Sequence, residues 1–169
     1  MRIVRICSVF VLLLSFACKS EKTSDTIADV KIFNVANEDD RKEFSVLKLD
    51  DTHVNLLNPT ISKDGFEAIY KSWSQFHYDL NDFLTSKNFT WGVDDENIKL
   101  FNRIYFTKEG KVKAYAYRVY NQVGKEKTEE YGKVIGDFLK SKQISLTRDV
   151  AFAQCGKMSL PNSIKRQEL

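Results

Sequence analysis

The chain has 169 residues, with 26 Lys and Arg against 23 Asp and Glu, and a formal net charge of +3. Two of the positive charges, Arg2 and Arg5, stand in the first five residues, so the remainder is close to neutral and has no basic excess to suit a nucleic-acid partner. Twelve Phe, seven Tyr and two Trp supply apolar area for a core, whereas two Pro and seven Gly are too few for a disordered or repetitive chain.

Residues 1–18 read as an address. Met1 to Arg5 carries charge, Ile6 to Leu14 is an apolar run, and Ser15 and Ala17 are small residues placed before Cys18. About 20 apolar residues are needed to span a bilayer as a helix, so this run suits a secretory signal and not a membrane anchor. A cysteine directly after such a site resembles the lipobox of bacterial lipoproteins. The resemblance implies that residues 1–17 are removed and that Cys18 carries a diacylglycerol and an acylated amino terminus. Three acyl chains at about 0.8 kcal/mol per buried CH₂ would hold the chain on a membrane without any spanning helix. Ser15-Phe16-Ala17 also satisfies the small-x-small rule for ordinary cleavage, which leaves simple secretion as the alternative. The lipoprotein resemblance further implies, from Lys19 in place of the Asp that retains many such proteins in the inner membrane, the outer membrane over the inner.

The expected organisation is a signal over 1–17, a lipidated polar tether over 18–30, one α+β domain over 31–160 and a polar tail over 161–169. Once Cys7 leaves with the signal and Cys18 becomes the anchor, Cys155 is the single remaining thiol.

The domain opens with two expected short strands, one around Phe44, Val46, Leu47 and Leu49 and one around Val54, Leu56 and Leu57, separated by a turn at Asp50-Asp51-Thr52. Asp64 and Glu67 have the spacing of a capping box. Behind them Phe66, Ile69, Tyr70, Trp73, Phe76, His77, Leu80, Phe83 and Leu84 recur at helical spacing, which predicts an amphipathic helix ending near Ser86 to Asn88. Leu100 to Thr107 and Lys111 to Tyr120 are β-prone runs around Lys108-Glu109-Gly110, a hairpin whose glycine supplies positive φ. A second helix is expected over Thr128 to Lys142, and a last strand over Val150 to Cys155, closed by Gly156.

The fold class is therefore α+β, two amphipathic helices on a small antiparallel sheet in the order helix, hairpin, helix, strand. Residues 64–156, with their hairpin "IYFTKEGKVKAYAY", resemble in layout the C-terminal domain of TonB-type energy transducers, where two helices pack on a three-stranded antiparallel sheet. That resemblance implies at most a capacity to bind a partner strand or an envelope ligand.

Read with period two, the even positions Ile104, Phe106, Val112, Ala114 and Ala116 form an apolar face. The odd positions Arg103, Tyr105, Lys111, Lys113, Tyr115 and Tyr117 form a wetter, aromatic and basic one. Tyrosine with basic side chains suits peptides, sugars or anionic polymers, so Arg103, Tyr105, Lys113, Tyr115 and Tyr117 are the candidate partner-binding face. Cys155 with His53 or His77 is the rival, a thiol hydrolase or redox site, although a lone cysteine without a local signature equally suits a buried structural residue. The two histidines and one thiol make no recognisable metal set, and no cofactor is expected. The expected function is a non-catalytic binding or structural role in a membrane-anchored envelope lipoprotein. Its partners would be the membrane, through the lipid on Cys18, and an envelope protein or polymer.

Overall fold

The structure, a computed structural model, describes residues 29–63 and 65–162. Cys18, the signal, most of the tether, Asp64 and residues 163–169 lie outside the described residues. The fold is α+β. Five strands, β1 (Lys31–Asn34), β2 (Val54–Asn55), β3 (Asn97–Phe106), β4 (Val112–Val119) and β5 (Phe152–Pro161), form one sheet in the order β1-β4-β3-β5-β2. Its centre, β4-β3-β5, is antiparallel, and the short β1 and β2 add parallel to β4 and β5 at the two edges.

Helices α2 (Phe66–Ser86) and α3 (Lys125–Ser141) cover one face. Their stripes bury Ile69, Trp73, Phe76, His77, Leu80 and Leu84 from α2, and Tyr131, Ile135, Phe138 and Leu139 from α3. Phe76 meets Phe138 edge-on at 5.4 Å between ring centres and closes the seam between the helices. Complete burial of a side chain such as Phe76 contributes about 1.5–3 kcal/mol. The N-cap of α2 is Gly65, at φ 88° and without a side-chain cap, in place of the expected Asp64. Helix α3 starts at Lys125, ahead of the expected Thr128, whose hydroxyl donates to Gly124 O at 2.9 Å within the first turn. Among the described residues no helix is long and apolar enough to cross a membrane.

Two expected elements are corrected. The first expected strand is a helix, α1 (Glu38–Val46). Asn37 caps it, its side chain accepting from Asp39 N at 2.9 Å and Asp40 N at 3.2 Å. Glu38, Asp39 and Asp40 place negative charge at the positive end of the helix dipole. These local terms outweigh the weak alternation of Phe44, Val46 and Leu47. Strand β5 does not stop at Gly156 but runs on to Pro161, because β3 is long enough to pair with it from Phe106↔Phe152 to Asn97↔Pro161.

The hairpin holds the third correction. Five pairs from Phe101↔Arg118 to Tyr105↔Ala114 follow one register, and then Phe106 pairs with Val112. Lys113 is the extra residue of this bulge, and the slip reverses which parity of β4 faces which side. Ile104 therefore shares its face with Tyr115, and Tyr105 shares the other with Ala114. The expected even and odd faces do not exist as single surfaces.

Candidate functional site

The five residues expected to form one partner-binding face are divided by the sheet. Tyr115 and Tyr117 lie under α2 and α3, 0% and 2% exposed. Their hydroxyls are spent internally: Tyr115 and Tyr131 share a hydrogen bond of 2.8 Å, and Tyr117 donates to Thr128 O at 2.8 Å. Burial pushes both phenols above their ordinary pKa. The expectation of a wet face at these two positions is overturned, since a parity that ignores the bulge assigns them to the wrong side. Tyr105 is also buried, but on the opposite face, where Phe44 of α1 packs against it and against Phe33 at 5.9 and 5.5 Å between ring centres. Lys113 is exposed at the bulge, and Arg103 is half-buried on the side of Tyr105.

That second face is laid out in cross-strand rows. One row reads Ala114, Tyr105, Ala153; the next Ala116, Arg103, Cys155; the third Arg118, Phe101, Lys157. Helix α1 and the 3-10 turn Leu49–Asp51 cover the first row, burying Phe33, Leu49, Tyr105, Ala114, Ala116 and Ala153 together. At the edge of this cover, Asp50 accepts from Arg103 Nη1 at 2.5 Å and from the Tyr105 hydroxyl at 2.7 Å. Burial first, then the Asp50 bond and charge, hold the Tyr105 phenol protonated far above neutral pH.

Beyond Arg103 the cover ends and a cleft of about 340 Å³ opens. Val35, Phe44, Phe101 and Ala116 make it apolar, and Arg41, Arg103, Arg118 and Lys157 make it cationic. Arg118 Cζ lies 5.7 Å and Lys157 Nζ 5.9 Å from the centre of the same Tyr120 ring. Among the described residues no carboxylate pairs with Arg41, Arg118 or Lys157. Three cations therefore converge on an apolar floor with their charge uncompensated. Arg41, Phe44, Phe101, Arg118, Tyr120 and Lys157 escaped the sequence reading. The alternation of Lys157 and Ser159 with Met158 and Leu160 was the available signal for β5, and the bulge hid the rest.

Cys155 sits at the margin of this face, half-buried and opposite Arg103, with its backbone N–H donating to Asn55 Oδ1 at 3.1 Å. Burial raises the thiol pKa, and Arg103 offsets this only in part. Neither imidazole is bonded to it. His53 engages Leu49 O through Nδ1 at 3.0 Å, and His77 is enclosed between Trp73 and Asn102 in the opposite layer.

Other depressions lie elsewhere among the described residues. A groove of about 690 Å³ between β1 and α3 is lined by Asp40 and Glu129 as well as Lys125 and Lys133, so its lining carries both signs equally. One of about 340 Å³ lies between α2 and the end of β5. Of these three, the cleft on the α1 side concentrates unneutralised charge of one sign. No family model, curated protein or solved structure matches the chain.

Proposed function

We propose that the chain is a small membrane-anchored envelope lipoprotein whose role is binding and not catalysis, carried on the outer membrane in preference to the inner. The address rests on the apolar run that ends in Ser15-Phe16-Ala17-Cys18 and on Lys19. The binding role rests above all on one observation: Arg118 and Lys157 share the Tyr120 ring in an open cleft without a carboxylate partner. An unneutralised cationic cleft with an apolar floor suits an anionic partner of the cell envelope. The rival reading, an enzyme acting through Cys155, finds little support in a thiol that burial holds above its ordinary pKa and that neither histidine can activate by a direct bond.

Cell fractionation of the wild-type chain and of Cys18→Ala tests the anchor. The expected result is wild-type protein that sediments with membranes and is released by detergent but not by high salt. Recovery of wild-type protein in the soluble fraction would replace the lipoprotein reading with simple secretion.

A further inference from the structure

We infer that the cleft on the α1 side seats one anionic phospholipid, its phosphate between Arg118 and Lys157 and the start of its hydrocarbon on Phe101 and Phe44. This rests on the reading of the cleft as a binding site and names the ligand class.

The argument is one of complementary chemistry. Arg118 and Lys157 flank Phe101 on the two neighbouring strands, so a phosphate between their heads is reached from both sides. Arg41 adds a third cation from the α1 wall. A guanidinium beside an ammonium suits phosphate oxygens, since one offers a planar fork and the other a compact charge. The two heads already lie within 6 Å of one aromatic centre, so the charge stands ready over an apolar surface.

The lining also excludes rivals. Beside Val35, Phe44, Phe101 and Ala116 it contains only cations and Tyr120, with no amide and no carboxylate side chain. A glycan would bring many hydroxyls and find almost no acceptors for them. An acidic peptide would bring backbone N–H and C=O groups, while β3 at the floor is already paired on both sides, to β4 and β5. A phospholipid brings one anion and otherwise hydrocarbon, which is what the lining can satisfy. About 340 Å³ accommodates a head group and the first segment of the acyl chains.

The test is native mass spectrometry of the full chain purified in neutral detergent. Dioctanoyl phosphatidylglycerol, dioctanoyl phosphatidylcholine, inorganic phosphate and a short poly-glutamate are added in turn. The expected result is one phosphatidylglycerol adduct at concentrations where the other three give none. Arg118→Gln with Lys157→Gln should lower that adduct at least tenfold, Lys157→Arg should retain it, and Lys113→Gln should leave it unchanged. Both cations of the double variant are exposed, so its urea midpoint should match wild type. Equal adducts with phosphatidylcholine, or a phosphatidylglycerol adduct indifferent to the double substitution, would overturn the inference. Adducts with phosphate or poly-glutamate alone would also overturn it while leaving the cleft a binding site. The absence of every adduct would remove both readings.

Discussion

The Nε2 of His77 accepts from the side-chain amide of Asn102 at 3.0 Å, while its Nδ1 donates to Trp73 O at 2.7 Å. A carbonyl can only accept, so the proton stands on Nδ1, and the ring is neutral with both nitrogens satisfied. Burial lowers its pKa from 6.5 to about 4, against a smaller opposing effect of the Trp73 bond. The unfolded chain binds this proton near pH 6.5 and the folded chain only near 4. Stability is therefore full above about pH 6.5, falls through the window between, and levels off below 4. The total loss from this group is about 3 kcal/mol. Urea midpoints at pH 7.5 and 4.5 should show the fall, with a shallower slope in His77→Gln. An unchanged midpoint in the wild-type chain would mean that His77 is not buried in this way.

Tyr115 and Tyr117 are core residues, so truncating them tests folding and not binding. Tyr117→Ala should cost about 3–5 kcal/mol, as large-to-small core substitutions do, and Tyr117→Phe about 1 kcal/mol for the lost hydrogen bond to Thr128 O, a carbonyl inside α3. Arg118→Ala, one residue further on and exposed, should stay within about 0.5 kcal/mol of wild type. Equilibrium urea unfolding of the three variants reads all of these.

Gly110 turns the hairpin at φ 83°, and a Cβ there would lie 2.6 Å from Ile144 O and 2.7 Å from Leu146 O. Both obstacles are backbone, so they cannot swing away as a side-chain tip can. Gly110→Ala should destabilise by more than about 2 kcal/mol, left-handed strain and clash together. Gly124→Ala, where nothing lies within 4 Å of the added carbon, is the control and should lose far less in thermal melts of the two variants.

The Cys155 thiol should react slowly with iodoacetamide at pH 7.5 in the native chain and at least tenfold faster once unfolded in urea. Burial hinders both access and ionisation there. Native reaction at the rate of a free thiol would reopen the catalytic reading.

Helix α2, the hairpin with Gly110 at its turn, and α3 were legible because each carries a strong periodic or turn signal in its own residues. Strand β5 was legible only as far as Cys155. Beyond it Gly156 reads as a stop, and only the ten-residue partner strand β3 explains why the strand continues. Helix α1 was missed because its cause is Asn37 and three acids, not an apolar stripe; its residues include none that is buried. The candidate site was legible least. Arg103 and Tyr105 were named for the correct face, while Tyr115 and Tyr117 fell on the wrong one because a single extra residue, Lys113, inverts parity. Nothing in "KVKAYAY" marks that bulge. Arg118 and Lys157 meet at Tyr120 only through the pairing of three strands, a relationship that no local window contains.

The anchor on which the proposed function depends is tested most directly by the intact mass of the mature chain from a native membrane fraction, measured beside Cys18→Ala. The expected mass is that of residues 18–169 plus one diacylglyceryl group and one N-acyl chain, a form absent from the variant. An unacylated mass for the wild-type chain would contradict the lipoprotein reading.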